Sequence, residues 1–210
     1  MNINVELWGA HTGNSLRAAI ALEEAGVSYS VRRVDLRGGE QRTPEFLALN
    51  PAAQVPVLIE MSDQARLILP QSNAIMFYAA ARSNGDLLPE AGSTAYFAVL
   101  ERFFYFLTDV IGFSATGFFL KSREIPGGDV LYDHVIDRAT QAERFLAASE
   151  YMAGDKFSIA DIAAFTIIWA FRERMDWPNV PQLHEWYQRV LARPAVQRGL
   201  HAFCRRSVDQ

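Results

Sequence analysis

Over residues 1–82 the hydrophobic period of the sequence switches back and forth between two residues and 3.6, and from Ser93 onward the two-residue period disappears. That switch restricts the chain to an α/β region followed by an all-helical one. Val5 and Leu7, with Trp8 beside them, read as a strand, and residues 13–26 as a helix with Leu16, Ala19 and Ile20 on one face. Residues 29–34 form a second strand pattern. After the Gly38-Gly39 turn, residues 44–49 give one or two helical turns closed by Asn50-Pro51. Two short β-rich runs, 55–59 and 66–69, flank the polar Ser62-Asp63-Gln64 and predict a hairpin. A helix over 72–82 completes the order βαβαββα, which predicts a four-stranded mixed sheet with helices on its faces.

The second half predicts helices over 95–120, 130–150, 159–174, 182–191 and 195–204, broken at Pro126-Gly127-Gly128, Gly154, Pro178 and Pro194. The bridge SNGDLLPEAG is polar and rich in turn formers, so the expected division is 1–82, a linker 83–92, and a helical domain 93–210. No internal repeat interrupts this pattern.

Lys and Arg number 20 against 24 Asp and Glu, a net charge of −4, which argues against a basic footprint for nucleic acid or an anionic membrane. The single cysteine, Cys204, excludes an internal disulfide, a CxxC pair and a Cys-rich zinc site. Any thiol chemistry must borrow its sulfur. His11, His134, His184 and His201 show no metal-ligand spacing, so no metal is expected. The N-terminus lacks the basic start and apolar core of a signal peptide. The longest nearly apolar run is taken as 162–171, short of the ~18 residues of a membrane span, and a cytoplasmic location is the expectation.

Three junctions carry the chemical information. In Val55-Pro56-Val57-Leu58 a proline opens a strand, where its missing N–H does no harm. A cis bond there would turn the Val55 N–H and C=O outward for an extended peptide to pair with; the sequence does not distinguish the isomers. In Leu69-Pro70-Gln71-Ser72-Asn73 a strand runs into a helix, with Ser72 as expected N-cap and a first turn able to hold an anion beside the Gln71 amide. In Gly9-Ala10-His11-Thr12-Gly13-Asn14-Ser15 small polar side chains can cap a helix or hydrogen-bond an anion or thiolate.

With these motifs in this order, the chain resembles a cytosolic glutathione transferase over nearly its full length. The resemblance implies a thioredoxin-like N-terminal domain followed by an all-helical domain. It implies glutathione as co-substrate, with Val55 and Pro56 pairing with its cysteinyl backbone and Gln71 and Ser72 holding its γ-glutamyl end. Gln54 and Gln41 are weaker transfers, toward the glycyl carboxylate. Ser158-Ile159-Ala160-Asp161 has the spacing of a capping box and resembles the family's buried helix-capping signature. Leu191-Ala192-Arg193-Pro194-Ala195-Val196 resembles its helix-to-helix join.

No Tyr or Cys stands in the first loop, where members of this family activate glutathione. Thr12 lies five residues before Arg17, where several classes place a serine, with Asn14 two residues on. Ser15 is the competing hydroxyl. Thr12-x-Asn14, with Val34-Asp35-Leu36 and Pro44-Glu45-Phe46-Leu47, looks most like the bacterial Nu-class and Ure2-like branch, some of whose members reduce disulfides or peroxides. A thiol of pKa ~8.5 is about 3% thiolate at pH 7. Lowering that pKa by ~2 units gives roughly 75% thiolate and requires about 2.7 kcal/mol. One or two hydrogen bonds to the charged sulfur, ~1.5–3 kcal/mol each, suffice, and a helix N-terminus adds ~0.3–1 kcal/mol.

Nine of the 25 aromatic residues fall between Tyr96 and Phe119. Phe103 to Phe106 are consecutive, so they span every face of a helix and cannot all enter one core. Core or dimer packing is the ordinary role of any single one, and at least one of them, Phe104 or Tyr105, is expected beside a small hydrophobic electrophile. The resemblance also implies a homodimer. The leading expectation is a transferase that directs the glutathione thiolate at such an electrophile. The alternatives are a glutathione-dependent disulfide or hydroperoxide reductase, and a non-catalytic binding protein that kept the fold. Cys204, far from the first loop, reads as a bystander.

Overall fold

The computed structural model describes residues 4–63 and 65–204 and divides into two compact units, Met1–Asn84 with Arg193–Gln210, and Gly85–Ala192.

In the first unit, strands β1 (Asn4–Gly9), β2 (Ser30–Arg33), β3 (Val57–Met61) and β4 (Arg66–Leu69) form one sheet in the order β2-β1-β3-β4. β1 runs parallel to β2 and antiparallel to β3, and β3 runs antiparallel to β4. The sheet is therefore mixed, as the βαβαββα order predicts. Val5 and Leu7 are buried and alternate with half-buried Glu6 and Trp8, the two-residue period of a strand. Helix α1 (Gly13–Glu24) is buried continuously from Ser15 to Leu22 and packs on α3 (Ser72–Ala80). Helix α2 (Pro44–Leu49) contributes Phe46 to a cluster with Val34, Val57 and Ile59, against which Trp8 and Leu36 pack.

The last helix, α9 (Pro194–His201), belongs to this unit, so the expected helical domain 93–210 differs at its C-terminal end. Ala195, Val196, Gly199 and Leu200 are buried on one stripe. A Cβ placed at Gly199 would stand 2.6 Å from Ile20 Cγ1 and 2.7 Å from Ile20 Cα, so the backbones of α9 and α1 approach closely. Arg193 forks onto both carboxylate oxygens of Glu24 at 2.7 Å, and Arg198 meets Glu23 at 2.5 Å.

In the second unit, α4 (Thr94–Phe104), a π-helical stretch Tyr105–Ile111 and α5 (Gly112–Ser122) form one continuous 29-residue helix. An 18-residue window of it has a mean hydropathy of 1.5, so by length and composition it could cross a membrane. The apolar segment expected to be longest, 162–171, is thus surpassed. Phe103 and Phe106 are buried, whereas Phe97 and Phe104 on α4 and Phe118 on α5 are exposed. Helices α6 (Gly128–Thr140), α7 (Ile159–Phe171) and α8 (Pro181–Leu191) complete the unit.

Helix α7 is apolar on all sides and buried from Ile159 to Ile168. Its N-terminus carries the capping box: Asp161 accepts the Ser158 N–H at 2.9 Å while the Ser158 hydroxyl caps the first turn. The same carboxylate accepts the Met152 N–H at 2.9 Å and the Trp186 indole N–H at 2.8 Å. Burial pushes the Asp161 carboxyl up to about 6 despite these donors.

Candidate functional site

The sheet register brings the three sequence junctions to one end of the first unit. β1 and β2 both finish there, since Gly9 pairs with Arg33. β3 starts there, since Val57 pairs with Trp8, and β4 ends there, since Leu69 pairs with Leu58. The loop after β1, the residues before β3 and the start of α3 are consequently neighbours.

In the first loop Thr12 is the N-cap of α1, in extended conformation at φ −127° and ψ 154°. Its Oγ1 accepts the Ser15 N–H at 3.4 Å, and its hydroxyl donates to Ser15 Oγ at 3.1 Å. Ser15 Oγ also accepts the Ala10 N–H at 3.4 Å. Ser15 is fully buried, Thr12 half-buried and Asn14 exposed. Asn14 Oδ1 accepts from the Arg17 guanidinium at 3.1 Å, which leaves the Asn14 amide nitrogen uncommitted among the described residues. Burial lowers Arg17 to about 10, so it is still charged at neutral pH. Arg17, an anchor for Asn14, is a residue that sequence reasoning used only as a landmark; the Asn-x-x-Arg spacing on one helix face was the available signal.

The Val55-Pro56 bond is cis. Val55 lies just before β3, and its N–H and C=O have no hydrogen-bond partner among the described residues. The preceding turn is pinned by buried Asn50, whose side chain donates to the Gln54 carbonyl at 2.7 Å and accepts the Ala52 N–H at 3.1 Å. Asn50 is a second residue that sequence reading missed, because Asn-Pro reads as a turn whatever its side chain holds. Gln54 itself is exposed.

At the third junction Gln71, not Ser72, is the N-cap of α3: Gln71 Oε1 accepts the Asn73 N–H at 3.0 Å and the Ser72 hydroxyl at 3.4 Å. The longer amide reaches over the first turn, and Ser72 becomes the first helical residue, buried at its base. Gln41 is turned inward, donating to the Leu36 carbonyl at 3.3 Å, with its Oε1 buried and unpartnered among the described residues. Phe104 and Tyr105 lie in the second unit; Phe104 is 47% exposed, while the Tyr105 hydroxyl donates to the Arg138 carbonyl at 2.6 Å.

Among the described residues no group of three or more His, Cys, Asp or Glu side chains could hold a metal ion. A cavity of about 330 Å³ opens on Ala10 and His11 and is also lined by Arg33, Val34, Asp35, Glu40 and Phe203.

Residues 4–81 match the family model described as glutathione S-transferase, N-terminal domain, and residues 137–194 match glutathione S-transferase, C-terminal domain. The chain belongs to the glutathione S-transferase family. Glutathione S-transferase 3 of Zea mays is 33% identical over 205 residues, covering 90% of this chain and 89% of the relative. The disulfide-bond oxidoreductase YfcG of Escherichia coli K12 is 29% identical over 204 residues, covering 93% and 94%. A glutathione transferase of Burkholderia graminis, solved with two glutathione molecules bound per subunit, superimposes with a TM-score of 0.82 at 28% identity, covering 97% of this chain and 90% of that one. The thioredoxin-like unit with its mixed sheet, and the helical unit after it, are those of the glutathione transferase fold.

Proposed function

We propose that this glutathione transferase holds the thiol peptide at the shared end of β1, β3 and β4 and stabilises its thiolate with Thr12 and Asn14. The convergence of the Thr12 loop, Val55-Pro56 and Gln71-Ser72 at that end supports this reading best. The N–H and C=O of Val55, unpaired among the described residues, suit the cysteinyl backbone of glutathione. The Ser72 hydroxyl and the first turn of α3 suit the γ-glutamyl carboxylate, with Gln71 alongside. Gln54, exposed on the pinned turn, is the better of the two candidates for the glycyl end, since the Gln41 nitrogen is already engaged.

Thr12 and Ser15 act as a relay. Their oxygens stand 3.1 Å apart, and either can donate to the other. When sulfur arrives, the Thr12 hydroxyl turns its proton to the thiolate and Ser15 donates to Thr12 in exchange. The Asn14 amide supplies a second donor. The thiol proton passes to solvent. With an aryl halide the C–S bond forms as the carbon–halogen bond breaks and halide leaves with the bonding pair. With a disulfide, a new S–S bond forms as the old one breaks, and the released thiolate takes up a proton.

The second reaction is the alternative reading, favoured by the charged lining of the cavity beside His11, which suits a polar acceptor better than an apolar one. Cytoplasmic location and homodimerisation belong to this proposal; the exposed aromatic side chains Phe97 (59%) and Phe118 (67%) suit contact with a partner subunit. Purified protein should bind glutathione calorimetrically at millimolar ligand or tighter and turn over a generic aryl chloride, disulfide or hydroperoxide. Binding without turnover in all three assays contradicts the enzyme reading, and absence of binding contradicts the site.

A further inference from the structure

The cavity beside the first loop contains four groups able to carry charge, and their hydrogen bonding separates them. Asp35 folds over its own turn, its Oδ1 accepting the N–H groups of Arg37 at 3.1 Å and Gly38 at 2.9 Å. Glu40 accepts the Asp35 N–H at 2.7 Å through one oxygen and meets Arg32 at 3.4 Å through the other. Both acids, and the charge of Arg32, are thus engaged within the β2–α2 connection. Arg33 is different. It is exposed, and its guanidinium makes no hydrogen bond or ion pair among the described residues.

The backbone position of Arg33 is fixed by the sheet. It pairs with Gly9 across the parallel β1–β2 ladder, at the usual strand spacing of about 4.8 Å, so it flanks the start of the loop that carries Thr12. Arg33 also lines a second, larger cleft of about 820 Å³ along the outer strand β2, with Tyr29, Ser30 and Arg198. There Arg198 and the Tyr29 hydroxyl are both bound to Glu23, at 2.5 and 3.2 Å. The Arg33 guanidinium, unengaged among the described residues, therefore lines both clefts, on a chain whose net charge is −4.

We infer that Arg33 selects the second substrate by binding a carboxylate on it, so that this enzyme accepts anionic electrophiles or disulfides in preference to neutral ones. A guanidinium fork with no partner among the described residues fits a carboxylate bidentately. The acids around it are held toward their own turn, Asp35 through Oδ1 and Glu40 through both oxygens, and neither forms an ion pair with Arg33. The inference rests on the reading of the Thr12 loop as the place where glutathione sulfur reacts.

The test compares S-benzylglutathione with S-(4-carboxybenzyl)glutathione, titrated calorimetrically into the wild type, Arg33→Gln and Arg33→Lys. The wild type should bind the carboxylated conjugate about tenfold more tightly, R33Q should bind both equally, and R33K should keep part of the preference. Added salt should compress the preference, because Arg33 is solvent-exposed. Equal affinities in the wild type, or a preference that survives in R33Q, overturn the assignment of Arg33 while leaving glutathione binding intact. If neither conjugate binds, the glutathione reading itself fails and the inference falls with it. Paired acceptors identify the source of the carboxylate. A loss of kcat/KM in R33Q confined to a carboxylated aryl chloride points to conjugation, one confined to a carboxylated aryl disulfide points to reduction, and no loss with either overturns the inference.

Discussion

The hydroxyl of Thr12 donates to the hydroxyl of Ser15 at 3.1 Å, and Ser15 is fully buried while Thr12 is half-buried. The pair therefore has an outer member that reaches solvent and an inner member that does not. Thr12→Ala should lower kcat/KM at neutral pH about 10- to 100-fold, the loss of one hydrogen bond of ~1.5–3 kcal/mol to a charged sulfur. Thr12→Ser should retain most activity. Ser15→Ala should cost both stability and rate, because it orphans the Ala10 N–H and removes the donor that replaces Thr12's own proton. Steady-state kinetics with thermal melts on the same samples separate the two effects.

Gly9 leads into that loop, and a Cβ there would stand 2.7 and 2.8 Å from the Phe203 ring and 2.9 Å from Ser15 Oγ. Gly9→Ala should push Ser15 away from Thr12 and reduce activity about tenfold, on the scale of a ~1–3 kcal/mol overpacking strain. Adding Phe203→Ala should restore part of that loss, although Phe203→Ala alone destabilises by ~3 kcal/mol by opening a void. A double-mutant cycle showing no coupling between the two positions contradicts this prediction.

Gly199 tests the seat of the last helix. Its missing Cβ would meet Ile20 N at 2.8 Å as well as Ile20 Cα at 2.7 Å, atoms that no rotamer change can move. Gly199→Ala should cost ~2 kcal/mol or more, and Ile20→Val should not rescue it. Denaturation midpoints of the single and double variants decide this.

Asp161 gives a pH dependence. Its carboxyl is raised from 3.8 to about 6 by burial, against the opposing pull of the Met152, Trp186 and Ser158 donors. Between these values the folded chain holds a proton that the unfolded chain has released, so this group's contribution to stability falls as pH rises through the window and is constant above it. The fall is up to about 3 kcal/mol. Urea midpoints of the wild type and Asp161→Asn from pH 4 to 7 should diverge in slope only below about 6. Parallel profiles would contradict it.

The two-residue and 3.6-residue periods are enough to predict the mixed sheet, and the family resemblance carried by the motifs at strand ends implies which loops meet. Packing partners were not legible. The stripe Ala195, Val196, Gly199, Leu200 would read the same against either unit, and only the close approach to Ile20 assigns it to the first. Gln71 and Ser72 are both able to cap α3, and the reach of the longer side chain decided between them. The isomer of Val55-Pro56 was open in the sequence because the intrinsic preference is only ~0.5–1 kcal/mol and the surrounding fold sets it. Arg17 serves only as a landmark in the sequence, yet it is buried and holds Asn14.

The acidity of the enzyme-bound glutathione thiol tests the central claim most directly. Followed by the ultraviolet absorbance of the thiolate across a pH titration, the thiol bound to the wild type should titrate ~2 units below its free value of ~8.5, and on Thr12→Ala it should return at least halfway. A thiol that titrates on the wild type as it does in water, or one that remains equally acidic on Thr12→Ala and Asn14→Ala, would contradict the account.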